Sequence, residues 1–211
     1  MTAQITDTIV YQDRDFRLVG INGNDLFHPD QIGLQVVTMS TACYRGFYCT
    51  YTIRDDHLLL TQLTVGLDEE DCLIAERGEG PTHFGLNPQR KRLPCSRYDR
   101  KTQEMVQDTY WSNWYYDELT QLVEFTGKLL IGADFIQEMY VHMGYHPAYK
   151  YREVHELIFQ SGHLESAHDR SEKMVEFRDR VANRPLSPSD LSDQEGITDW
   201  IKQSFSRNYN W

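Results

Sequence analysis

Long hydrophobic runs are missing from this 211-residue chain. No stretch approaches the roughly 20 apolar residues that a bilayer-spanning helix needs, so no membrane helix is expected. The first residues, Met1 to Asp7, hold no basic segment followed by an apolar run, and no signal peptide is expected. Signatures of common catalytic sites are missing too. There is no G-x-S-x-G nucleophile elbow, no Walker phosphate loop and no Rossmann glycine triplet. Cysteine is scarce. Cys43, Cys49, Cys72 and Cys95 form no C-x-x-C pair and match no zinc spacing. They read as small, mostly buried hydrophobes of a reducing cytoplasm. Positive charge is in deficit, with 21 bases against 32 acids and a net charge of −11. Such a surface repels a phosphate backbone, so general nucleic-acid binding is not expected.

What the chain does have is a recurring turn pattern. Val10–Leu18, Thr52–Leu60, Glu124–Ile131 and Ile158–Leu164 each place an apolar or aromatic residue before a short polar turn and an apolar run after it. β-formers flanking turns rich in Asp, Ser and Gly are the signature of antiparallel hairpins. Phe47 to Ile53 is aromatic or β-branched at every position except Cys49, as a strand with two lined faces would be. Gln35–Met39 and Tyr151–Phe159 also read as strands. The segment Asp134–Gly144 fits either a short helix, capped by Asp134 and stopped by Gly144, or the extension of a strand.

The fold class expected is therefore mainly β: an antiparallel meander forming a barrel or sandwich in a single domain. A long Gly/Pro loop is expected at about 78–108. Two C-terminal helices are expected at about 171–183, where Met174, Phe177 and Val181 share a face, and at about 193–206, where Ile197, Trp200, Ile201 and Phe205 do. The acidic run Asp68–Asp71 reads as a solvated turn. The basic island of Arg90, Lys91, Arg92, Arg97, Arg100 and Lys101 reads as part of the solvated loop.

With 13 Tyr, 9 Phe and 4 Trp the chain is rich in rings that suit cores and binding surfaces alike. Trp111, Trp114, Tyr116, Tyr140, His142, Tyr151 and His155 are the candidate ligand-binding residues. They suggest a non-catalytic binding protein that holds a small apolar ligand or a partner protein in an aromatic-lined barrel mouth or face. An enzyme with a His/Tyr/carboxylate site is the first alternative, built from Tyr140, His142, His146, Tyr151, Glu153 and His155. An acidic interaction or inhibitor protein for a basic partner is the second. No metal and no cofactor is expected. Gly144 and Pro147 break a helix through His142 and His146, and Met143 stands where a metalloprotease helix would carry its glutamate.

Overall fold

Three of the four turn signatures make two-residue hairpin loops. At Gln12–Asp13, Asp55–Asp56 and Ser161–Gly162 both turn residues have positive φ, the backbone that matches the twist of the flanking strands. The computed structural model describes residues 2–181 and 204–209. The first hairpin joins β1 (Thr8–Tyr11) to β2 (Arg14–Gly23) and the second joins β3 (Phe47–Arg54) to β4 (His57–Val65). A short helix α1 (Glu69–Glu76) follows, then β5 (Arg92–Asp99), β6 (Glu104–Trp111), β7 (Trp114–Tyr116), β8 (Gln121–Leu122) and β9 (Gly127–Phe135). The last hairpin joins β10 (Tyr151–Gln160) to β11 (His163–Asp169), and α2 (Ser171–Val181) follows.

Nine strands form one sheet in the order β11-β10-β9-β2-β1-β3-β4-β7, with β8 also on β4. All its pairings are antiparallel except β1 with β3. The sheet curls until β11, at one end, reaches β4 near the other, where His163 pairs with His57. The mainly β, antiparallel expectation holds. Alternation does the work: along β3, Phe47, Cys49 and Tyr51 point inward and are buried. Ile9, Phe16, Leu18, Leu58, Leu60, Leu129, Ile131, Leu157 and Phe159 join them, each no more than 2% exposed. At about 1.5–3 kcal/mol for each large apolar side chain, this filled interior is the main source of stability.

The outer face of β9 and β10 carries a second, smaller core. Val19, Leu130, Val154 and Tyr151 are covered by Ala148 and by Met174 of α2. Arg178 of α2 donates hydrogen bonds to the carbonyls of Tyr149 and Tyr151, both at 2.9 Å. The first expected C-terminal helix is thus present. The second, at about 193–206, lies almost wholly outside the described residues.

Several expectations need correction. Glu124–Ile131 is not a hairpin: β8 pairs with β4, whereas β9 pairs with β2 and β10. Gly127 marks a close backbone approach, since a Cβ there would lie 2.3 Å from the Asn22 carbonyl oxygen. Gln35–Met39 joins no ladder and makes only single backbone bonds, such as Val37 N–H to the Gly66 carbonyl. The acidic run is not a turn. Asp68 caps α1 by accepting a hydrogen bond from the Asp71 amide at 2.9 Å, and Glu69, Glu70 and Asp71 occupy the first turn, where the helix dipole favours acids. The long loop ends at Lys91, because residues 92–111 pair with one another as a hairpin.

One buried carboxylate ties distant segments together. Asp7, 2% exposed, accepts hydrogen bonds from Arg45 at 2.6 and 3.1 Å, from Arg207 at 2.8 Å and from the Cys49 amide at 2.8 Å. Burial alone would raise its pKa, but Arg45 and Arg207 outweigh burial and hold the carboxyl below its usual range. Asp7→Asn should therefore destabilise the protein by about 3–5 kcal/mol, because two half-buried guanidiniums lose their counter-charge. The folded-state pKa is depressed, so this stability is present above the unfolded value near 3.8 and is lost as pH falls through the folded one. Acid titration of stability should be steeper below about pH 4 in the parent than in the variant, as measured by urea unfolding across that range.

Candidate functional site

The sequence-derived candidates fall into three separate groups. Trp111 and Trp114 form the first. The Arg90 guanidinium lies 4.7 Å from each of the two indole rings, and Arg92 covers Trp111 at 4.6 Å. Such stacking is worth about 0.5–1 kcal/mol per contact at exposed sites. Trp114 is 9% exposed and Trp111 is 47% exposed, so the stack runs from the core edge out to solvent. Arg90 is also ion-paired with Glu76 of α1 at 2.7 Å. Tyr116 belongs to the core instead: it is fully buried and donates its hydroxyl proton to the Pro81 carbonyl at 2.8 Å.

This stack sits at the root of the β5–β6 hairpin. The root is fastened by reciprocal backbone bonds of 2.9 Å between Gln89 and Tyr115, and by Ser112 N–H to the Lys91 carbonyl. Beyond it the two strands pair only with each other, a sheet of two. Cross-strand partners share a face. Trp111 with Arg92 and Met105 with Tyr98 lie on one side; Tyr110 with Leu93, and Val106 with Arg97, lie on the other. Tyr98, Met105, Tyr110 and Trp111 are between 47% and 62% exposed. An unsupported two-stranded ribbon is marginal in water, and this arm leaves large side chains exposed on both of its faces.

The second group gathers around Phe135, which sequence reasoning missed. Its ring lies 5.2 Å from Tyr151, 4.7 Å from His146 and 6.5 Å from Tyr140. Tyr140 bonds His142 Nδ1 at 2.8 Å. The 3-10 turn Ala148–Lys150 places Lys150 here, 5% exposed and, among the described residues, in no ion pair. Burial pushes the Lys150 amine down to about 8. Burial first, and then Lys150, push the His146 imidazole down to about 4; among the described residues its buried Nδ1 has no hydrogen-bond partner. At neutral pH this group sets an uncharged His146 imidazole beside a Lys150 amine that is still mostly protonated.

His155 is in neither group. It lies 5.4 Å from Phe16 and 6.0 Å from Tyr11 at one mouth of the curled sheet. Its Nε2 is 3.0 Å from Glu153, which Arg14 grips at 2.8 and 2.9 Å. Hydrogen bonds from Arg14 and His155 hold the Glu153 carboxyl below its usual range. The His/Tyr/carboxylate set is therefore divided between two places. Among the described residues, no three His, Cys, Asp or Glu side chains are placed to hold a metal ion.

Two grooves lie elsewhere on the described surface. One, of about 480 Å³, has Leu26, Phe27, Ile32, Phe84 and Val123 beneath a rim that includes Asn24, Gln31 and Glu124. The other, of about 470 Å³, lies over the first two hairpin turns, with Tyr11, Ile53 and Leu164 among Asp13, Asp55 and Asp56. Among the described residues no helix is long and apolar enough to cross a membrane. No family model matches the chain, and no curated protein or solved structure shows significant similarity to it.

Lys150 offers a direct test of the second group. Its folded-state pKa lies below the ordinary 10.5, so the unfolded chain binds more protons between about pH 8 and 10.5, and stability rises with pH across that window. Lys150→Met should raise stability at pH 7 by about 1–3 kcal/mol, because a buried amine without a counter-charge is replaced by an apolar chain of similar length. Thermal unfolding at pH 7 and 10 should show the gain shrinking at the higher pH.

Proposed function

We propose that this chain is a non-catalytic binding protein whose recognition surface is the β5–β6 arm, with the Trp111–Arg90–Trp114 stack at its root, and whose partner is another protein. The observation that carries this reading is the arm itself: a ribbon that leaves Tyr98, Met105, Tyr110 and Trp111 exposed on two faces. Tyr, Trp and Arg are the residues that dominate protein-interface energetics. Both edges of the ribbon also keep unpaired backbone groups, which an extended partner segment can meet. The interior of the curled sheet is filled by its own side chains, which favours an outer face over an enclosed cavity. The four free cysteines suit a reducing compartment, and the cytoplasm is the location we assign.

A photo-crosslinking residue substituted for Tyr110 and expressed in the native cell tests this reading. One discrete protein adduct is expected, and it should be lost when Trp111→Ala and Arg92→Ala are added. Absence of any protein adduct, with the arm folded by circular dichroism, overturns the reading. Trp111→Ala should weaken the complex by about 2 kcal/mol or more, some thirtyfold in Kd, while shifting the stability of the isolated protein by less than about 1 kcal/mol.

A further inference from the structure

Arm and body carry opposite charge. Residues 90–111 hold Arg90, Lys91, Arg92, Arg97, Arg100 and Lys101 against Asp99, Glu104 and Asp108, a net +3. The whole chain is −11, so the remainder carries −14. At the arm's outer end, Arg100 and Lys101 form the turn beside the exposed Tyr98–Met105 pair. Neither base is in an ion pair among the described residues. The second groove offers the complementary chemistry: Tyr11, Ile53 and Leu164 are the apolar part, and Asp13, Asp55 and Asp56 stand around them, with Arg54 the one base among them. Among the described residues none of these three carboxylates is ion-paired. The arm's own root is on β7 and α1, and among the described residues neither arm strand packs extensively on another element.

We infer that the partner is a second copy of this chain: the tip of each arm, Tyr98 and Met105 flanked by Arg100 and Lys101, enters the aspartate-rimmed groove of the other copy. This rests on the arm's being the recognition surface. A single tip is small beside the roughly 1,200–2,000 Å² of a stable interface, whereas reciprocal exchange about a two-fold axis doubles the contact and closes the assembly. Opposed charges set the register, and the aromatic and thioether groups supply the apolar burial.

Sedimentation of the full chain tests it. A dimer is expected at about 100 µM protein in about 50 mM salt, with its dissociation constant rising at least about tenfold in about 500 mM salt. Arg100→Glu with Lys101→Glu should give a monomer. So should Asp13→Asn with Asp55→Asn and Asp56→Asn, substitutions that keep side chains tolerant of these positive-φ turns. A crosslinker substituted for Tyr98, in a mixture of isotope-labelled and unlabelled chains, should join the arm of one copy to the Ile53–Asp56 segment of the other. A monomer under the low-salt conditions, or a dimer that survives both charge changes, overturns the inference. If that monomer still crosslinks a different protein in the cell, the arm remains the binding surface and only its occupant is wrong. If it crosslinks nothing, both fail.

Discussion

Everything on the outside of this protein follows from the crowding of its inside. Once the sheet curls and β11 meets β4, each inward side chain faces others from across the ring. Phe16, Tyr51, Leu60, Leu129, Ile131 and Phe159, each no more than 2% exposed, pack this interior. Close packing of this kind stabilises because every dispersion contact and every apolar area is used. It also leaves the exposed rings and charges to the outer faces, the mouth and the arm.

Among the described residues the two buried carboxylates, Asp7 and Glu156, sit at seams between segments. Asp7, Arg45 and Arg207 join the lead-in to β1, the approach to β3 and the C-terminal tail. Glu156, 1% exposed on β10, accepts hydrogen bonds from Arg170 just before α2 and from Tyr209 of the tail. Burial alone would raise its pKa, but the Arg170 and Tyr209 contacts outweigh burial and hold its carboxyl below its usual range. In both places a charge inside the protein is tolerated because an arginine and further hydrogen-bond donors meet it. Those partners fasten the tail on the sheet: Ile21 N–H bonds the Arg207 carbonyl at 2.8 Å, and the Tyr209 ring fills the space above Gly20.

The arm inverts this logic. Its charged residues stack on rings in place of meeting buried acids, and its large side chains remain outside. The Gly/Pro content of residues 78–94 made the whole region read as loop, because turn residues dominate its first half. Period-2 alternation is hidden in β5 and β6 by the lack of a buried face. Leu93, Cys95 and Val106 are only half-buried, and the opposite side mixes Pro94, Ser96 and Thr109 with Trp111. Alternation reports a strand through the core it covers, and among the described residues this ribbon has no fully buried side chain. Asp68 was misread for a related reason: an N-cap differs from a solvated acid only by the helix that follows, and α1 is short and weakly patterned.

Local sequence by itself determined the hairpins at Gln12–Asp13, Asp55–Asp56 and Ser161–Gly162, the alternating burial of β3 and the helix that carries Met174 and Phe177. Each depends on turn chemistry or periodicity within a dozen residues. Only the tertiary structure decided that Tyr116 and Tyr151 are core while Trp111 is surface, that His155 stands apart from His142 and His146, and that Phe135 and Lys150 join the latter pair. Burial and neighbourhood arise from which strands meet across the ring and where the backbone shifts register, and those are set by long-range packing that no short stretch of residues encodes.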